Sequence, residues 1–280
     1  MKFFSRLLFL LLLMLSSGCF NDDVAELALG KLKYSFTLSY NGNGNTSGAV
    51  PDSLLYTSGA NITIPDNTGN LMKINAYNSA EGQNASFRFA GWNTLPDGNG
   101  TDYTPGMDIT ISSDLTLYAK WIPYALRDSG PAGGLIFYDK GTYSNGWRYL
   151  EAALVDLSSS PWSEAVAPIA DAIYTGAGDG KNNTEAIINM FSFEVTAAAN
   201  CKAYSINGYN DWYLPSVDEL KYMCEELYLY GCDAFTGVEY WSSTQDNSIE
   251  PNAYTWNFST NEGTSYTKNL QYSLRPARQF

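Results

Sequence analysis

The chain has 280 residues, enough for two domains of ordinary size, with 16 Lys+Arg against 29 Asp+Glu and a formal net charge of −13. That balance excludes nucleic-acid binding through a general basic field, and attachment to anionic lipid without an anchor. Histidine is absent, which excludes Ser-His-Asp and Cys-His catalysis and His-ligated zinc; no carboxylate or lysine constellation points to other chemistry, so the chain reads as a non-enzyme without cofactor or metal.

The first elements set the compartment. Lys2 and Arg6 give a positive start, Leu7–Leu15 are almost continuously apolar, and Ser16, Ser17 and Gly18 lead to Cys19. The apolar run is too short to serve as a spanning helix of a mature protein, and the pattern is that of a secretory signal. Small residues ending in Gly before Cys resemble a bacterial lipoprotein signal, although Ser16 stands where Leu is usual and Leu15 lies one place earlier. The resemblance implies a signal at 1–18, lipidation at Cys19 and a tether at 19–33. The expected location is the cell envelope, anchored by lipid to the outer membrane and exposed at the surface. Stable anchoring needs more than one acyl chain, which such a Cys carries.

From Tyr34 the pattern turns to strands. "YSFTLSY" (Tyr34–Tyr40) alternates, with Phe36 and Leu38 on one face, and "NGNGNTSG" (Asn41–Gly48) is dense turn chemistry. Short strands separated by Gly, Pro and Asp turns follow as far as Trp121. Trp92 and Trp121 are expected to pack, as aromatics in alternating strands usually do. The order "FAGWNT…DGNGTDYTPG…ITISSDLTLYAKW" (Phe89–Trp121) resembles the Listeria–Bacteroides repeat, and "YSFTLSYNGN" and "NTGNL" fit its earlier part. The resemblance covers residues 34–122 and implies a small β-grasp-like module used as a spacer in surface proteins. One segment departs from it: "INAYNSAEGQNAS" (Ile74–Ser86) is inserted ahead of the "FAGW" strand.

A second unit is expected at 123–280. Apolar strands are predicted at Leu135–Tyr138 and Trp147–Ala153. "YTGAGDGKNNTEAI" (Tyr174–Ile187) looks like a phosphate loop, but Thr175 and Asn182 break the Walker spacing. It reads instead as the lead into a helix from near Thr184, with Ile187, Phe191, Val195 and Ala198 on one face. Ser216 and Glu219 form a capping box for a second helix, with Leu220, Met223, Cys224 and Leu227 as its buried stripe and Gly231 as its stop. The acidic pairs Asp218–Glu219 and Glu225–Glu226 read as a solvated helix face. Strands return at Tyr240–Thr244, Ala253–Phe258, Ser265–Leu270 and Ser273–Phe280. Cys201, Cys224 and Cys232 leave at least one thiol without an intramolecular partner, and their pairing is left open by the sequence.

The order "GPAGGLIFYDKG…YLEAA…NGYNDWYLPSVDEL…YWSST…AYTWNFS…RPARQF" resembles the C-terminal domain of the Legionella collagen-like adhesin. It implies a C-type-lectin-like α+β domain, distantly related to formylglycine-generating enzymes, whose role is adhesion or ligand binding. The fold class expected for the whole chain is therefore α+β. Within that domain "EPN" (Glu250–Asn252) resembles the sugar-recognition tripeptide of calcium-dependent lectins. Calcium needs about 6–8 oxygen ligands, whereas Trp256-Asn257 follows too soon and Phe258 replaces the expected acid. The stretch reads as a loop tip between two strands, with Tyr254, Trp256 and Phe258 on a core-facing side. Asp246, Asn247, Glu250, Asn252 and Tyr254 are the candidate ligand-binding residues, for a host, matrix or envelope glycan or protein. Two alternatives to a surface adhesin are a structural envelope lipoprotein and a relative of the formylglycine-generating enzymes.

Overall fold

The computed structural model describes residues 34–79, 82–192, 194–232 and 235–280. The expected signal at 1–18, the tether at 19–33 and Cys19 lie outside the described residues. The chain divides into two compact units. One runs to Lys73 and resumes over Arg88–Ile122; the other combines Ile74–Phe87 with Pro123–Phe280.

In the first unit, β1 (Ser35–Asn41) pairs antiparallel with β2 (Leu54–Thr57). β3 (Asn61–Thr63) stands apart in a two-stranded ribbon. β4 (Lys73–Asn78) and β5 (Gln83–Asn93) are sheet neighbours; the segment read as an insertion falls on β4 and the start of β5, within the Ile74–Phe87 stretch that belongs to the second unit. β6 (Asp102–Tyr103) pairs with β5, β7 (Asp108–Thr110) completes the ribbon with β3, and β8 (Leu115–Pro123) lies between β1 and β5. The β1–β8 pair is parallel, with Leu38 opposite Leu115.

Leu38, Ile62, Ile64, Leu71, Trp92, Ile111, Leu117 and Ala119 form the core of this unit. Trp92 is fully buried, edge-on to Tyr40 (4.7 Å) and Phe89 (5.2 Å), and its Nε1 donates to the Pro65 carbonyl at 3.0 Å. Trp121 donates to the Gly42 and Asn43 carbonyls at 3.1 Å. Both indoles are therefore occupied in packing. No helix occurs among the described residues of this unit, so a β-grasp, which packs a helix on its sheet, does not describe it.

The second unit has two sheets. β9 (Leu135–Ser144), β10 (Trp147–Ala152) and, at the end of the chain, β16 (Ala277–Gln279) form a three-stranded sheet in the order β16-β10-β9. The other sheet has the order β11-β15-β12-β13-β14, from β11 (Leu157–Pro161), β12 (Glu239–Gln245), β13 (Asn252–Asn257), β14 (Glu262–Thr267) and β15 (Gln271–Leu274). Between β11 and β12 lie α1 (Gly180–Met190), α2 (Ala197–Ala203) and α3 (Val217–Met223). α3 runs on into a π turn at Cys224–Tyr228.

These elements overturn the α+β, C-type-lectin-like expectation. Of the described residues 40% are strand and 12% helix, a β-rich fold. The helical signal in the sequence was longer than the helices themselves. α1 starts at Gly180 rather than near Thr184 and ends at Met190, and Val195, expected on the apolar face, is 69% exposed. α2 restarts only after Thr196, whose side chain accepts from the Ala199 amide at 3.0 Å. A periodic row of apolar residues is thus shared between two short helices, and the period does not register the break between them.

The capping box of α3 forms with both of its bonds, Ser216 Oγ accepting from Glu219 N and Glu219 accepting from Ser216 N. Leu220, Met223, Cys224 and Leu227 are all fully buried, packed with Phe137, Tyr213, Tyr240 and Phe258. A second cluster collects Trp162, Ile187, Cys201, Leu214, Trp241, Ala253 and Leu274. Of the aromatic side expected to be core, Phe258 is fully buried and Tyr254 and Trp256 are half-buried, while Ala253 and Thr255 on the other face of β13 are fully buried.

Candidate functional site

The Glu-Pro-Asn stretch is the turn between β12 and β13. Asn252 N donates to the Ile249 carbonyl at 2.9 Å, and Asp246 N donates to the Asn252 carbonyl at 3.1 Å. Asp246 is buried. Its Oδ1 accepts from the amide and hydroxyl of Ser248 (2.8 and 2.6 Å), and its Oδ2 accepts from Ser265 Oγ at 2.6 Å. Burial works against its ionisation, but these hydrogen bonds outweigh burial and hold the carboxyl below its ordinary range. Burial, and then the neighbouring Asp246, raise the Tyr254 phenol. Asn252 Nδ2 reaches Ser265 Oγ at 3.4 Å. The structure thus brings Asp246, Asn252 and Tyr254 together around Ser265 and leaves Asn247 and Glu250 on an exposed tip. The oxygens of Asp246 are engaged in closing the turn. Among the described residues no group of three or more His, Cys, Asp or Glu is placed to hold a metal ion.

Behind the turn sits Lys268, which is fully buried. Its amide donates to the Pro251 carbonyl at 2.9 Å, and its ammonium to Gln245 Oε1 (2.6 Å) and the Ala167 carbonyl (2.8 Å), 4.6 Å from the centre of the Trp162 ring. Burial pushes this lysine down to about 8, and Glu250 pulls in the opposite direction.

A cleft of about 410 Å³ opens elsewhere in this unit, lined by Lys140 and Trp147 of the β9–β10 hairpin, by Ala177–Asp179, Lys181 and Asn182, and by Gln279 of β16. Three local features build it. Asn145 (φ 52°) and Gly146 (φ 84°) make the tight reversal between β9 and β10 that Asn-Gly favours. The glycine-rich loop before α1 then packs directly on the indole: a Cβ at Gly178, which has φ 92°, would lie 2.4 Å from Trp147. Finally, Glu219 of α3 accepts from Gly178 N at 2.7 Å and fixes the loop. The Lys140 ammonium lies 3.7 Å from the Trp147 ring centre and donates to the Ser144 carbonyl at 2.7 Å. Burial lowers its pKa. Asp179 precedes α1 but does not cap it; its Oδ2 accepts from Gly176 N at 2.9 Å, and no acid occupies the first turn.

From the sequence, Gly176–Lys181 reads as the lead into a helix rather than a nucleotide loop, and neither Lys140, Trp147 nor Gln279 stands out as a site residue. The legible signal was a glycine loop opening a helix beside a lysine; the partners from β9, β10 and β16 are brought in by sheet pairing alone.

Two buried carboxylates hold this region. Burial raises Glu219 to about 7, against hydrogen bonds from Ser216, Gly178 and Tyr213. Burial likewise raises Glu151 to about 7, against Arg278 at 3.3 Å and the Ala132 amide at 3.1 Å, and its Oε2 has no hydrogen-bond partner. A carboxyl raised in the folded state gives stability that is full below its unfolded pKa and is lost as pH rises through its folded pKa. Resistance to urea should therefore decline between about pH 5 and pH 8, and Glu151→Gln should flatten the decline. A profile that rises over that range, or is unchanged in the variant, would sink this assignment.

The thiols do not pair with one another. Cys201 and Cys224 are buried and Cys232 is exposed. Burial pushes Cys201 up strongly and Cys224 to about 11, the opposite of what a reactive thiolate requires.

Comparison with known proteins gives three results. Residues 36–120 match the family model of the Listeria-Bacteroides repeat domain. A protein of Evansella cellulosilytica described as a "Putative Gly-rich membrane protein" is 31% identical over 91 residues, which is 31% of this chain and 9% of that protein. The crystal structure of a fimbrial protein from Bacteroides ovatus overlaps 88% of this chain and 69% of its own, at 13% identity and a TM-score of 0.36, a level at which overlap defines no common fold. The chain thus contains one Listeria-Bacteroides repeat domain, over residues 36–120, and spans less than a tenth of the curated relative it matches.

Proposed function

We propose that this is an exported, lipid-anchored envelope protein displayed at the cell surface, and that it acts as a non-catalytic adhesin or ligand-binding protein. The observation that carries the reading is the match of residues 36–120 to a repeat domain, lying between an export-type N-terminus ending at Cys19 and a larger unit with an open polar cleft. Cys19 is the proposed anchor, the repeat domain the spacer and the second unit the binding part. The membrane protein that matches 91 residues of this chain agrees with an envelope location. The burial of Cys201 and Cys224 speaks against formylglycine-type chemistry at those two thiols.

The test has two arms. Protease treatment of intact cells should release the chain, and Cys19→Ser should move it out of the membrane fraction. A soluble chain from Phe20 to Phe280 should bind a component of an array of glycans and matrix proteins. Binding lost with chelator and in Glu250→Ala would place the contact at the Glu-Pro-Asn turn; binding indifferent to both would place it elsewhere on the second unit. Protection from protease together with a blank array would overturn the reading in favour of a structural envelope role.

A further inference from the structure

Lys268 is fully buried and Gln245 is 4% exposed, and the backbone of each is pinned. Gln245 stands opposite Ala253 of β13, and its amide donates to the Ala172 carbonyl at 2.6 Å. Lys268, just beyond β14, donates its amide to the Pro251 carbonyl at 2.9 Å and accepts from Trp162 N at 2.8 Å. The two side chains meet inside this frame, with Nζ of Lys268 2.6 Å from Oε1 of Gln245. The amide carbon is one carbonyl bond, about 1.23 Å, beyond that oxygen, so Nζ lies within about 3.8 Å of it. A near-attack pair is separated by about 3–3.5 Å.

Two further features favour attack at that carbon. The Ile169 amide donates to the same Oε1 at 2.7 Å. It is placed to stabilise negative charge developing on that oxygen, in a region closed to water. Burial lowers Lys268 to about 8, with Glu250 pulling in the opposite direction. A share of the lysine is therefore free amine near neutral pH, the form that acts as a nucleophile. The Ala167 carbonyl, 2.8 Å from Nζ, holds the amine from another side.

We infer that Lys268 and Gln245 join in an intramolecular isopeptide bond. The free amine attacks Cδ of Gln245, the Nζ–Cδ bond forms, and the carbonyl electron pair moves onto Oε1, where the Ile169 amide holds it. The pair then returns, the Cδ–Nε2 bond breaks, and one proton passes from Nζ to Nε2, which leaves as ammonia. Nothing is oxidised or reduced. The product ties the end of β12 to the end of β14 across β13 and encloses Asp246, Asn252 and Tyr254 in one covalent ring. The link does not depend on any ligand at that turn, so its failure leaves the adhesin reading untouched.

Tryptic digestion of the full chain, purified from membranes and unfolded first, tests it by mass spectrometry. Trypsin cuts after Lys268 only when the amine is free. The next cut on the N-terminal side is after Lys221, and Arg275 is shielded by Pro276, so the next on the other side is after Arg278. The linked chain should yield residues 222–278 as one piece, lighter than its sequence by one ammonia, with fragmentation placing the loss jointly at Gln245 and Lys268. Lys268→Arg removes the nucleophile and keeps the cation. That variant should be cut at position 268 and give two pieces at full mass. Because the native chain is read directly, the test does not depend on the variant folding. Complete cutting after Lys268 in the native chain, an uncut piece at full mass, or a loss of ammonia placed at an Asn would overturn the inference.

Discussion

Arg275→Met should destabilise the second unit by about 3–5 kcal/mol, as expected when one partner of a buried ion pair is removed. Arg275 is fully buried. Its Nε donates to Asp156 Oδ1 at 2.8 Å, its Nη1 to the Ala153 carbonyl at 2.6 Å, and its guanidinium lies 4.0 Å from the Phe235 ring centre. The other oxygen of Asp156 accepts from the Thr236 amide and hydroxyl (2.8 and 2.7 Å) and from Tyr240 at 2.8 Å. Burial opposes ionisation of Asp156, but Thr236 and Arg275 together hold the carboxyl below its ordinary range. Met fills much of the space but leaves that carboxylate without its cation. Adding Asp156→Asn to the Met variant should restore part of the loss, since the stranded charge then disappears. Urea unfolding measures both. A single-variant loss below about 1 kcal/mol, the range of exposed pairs, would show that solvent reaches and screens the network.

The second large effect belongs to the repeat domain. Trp92→Ala should destabilise the first unit by about 3–5 kcal/mol, the usual range for truncating a buried Trp. The indole fills the space between Tyr40 and Phe89 and donates to Pro65. Trp92→Phe keeps a ring against both neighbours and loses that hydrogen bond, so a smaller loss is expected, with about 1 kcal/mol from the bond itself. Residue-resolved hydrogen exchange separates the units: protection should fall at Leu38 and Leu117 and hold at Leu220 and Trp241. A uniform fall across both sets would show that the two cores unfold together.

Local rules were legible where the chain answers to its near neighbours. The Ser216 capping box, the stripe from Leu220 to Leu227 and the Asn-Gly turns depend on residues a few places apart, and each forms. The repeat resemblance was legible because several short motifs recur in order. The helices around Ile187 and Ala198 were overread, because apolar spacing registers a face and not the break between Met190 and Thr196. The buried charges were illegible for another reason. Arg275 meets Asp156, and Arg278 meets Glu151 and Asp211, across more than 60 positions of sequence, and nothing in a window marks them as interior. The cleft failed to show for the same reason: Lys140, Lys181 and Gln279 become neighbours only when β16 closes against β10.

The division at Lys73/Ile74 and Phe87/Arg88 has a consequence for the order of events during synthesis. Ile74 packs against the cluster of Tyr124, Ile136, Tyr149 and Phe280, and Phe280 follows it by 206 positions (280 − 74). Chains fold as they are made, N-terminal parts first, at about 5–20 residues per second. The hairpin leaves the ribosome with the strands of the first unit, yet the surface it belongs to is finished only when β16 and Phe280 arrive. Completion of the second unit is therefore a late, long-range closure, and a nascent chain stalled after residue 122 holds its hairpin in waiting.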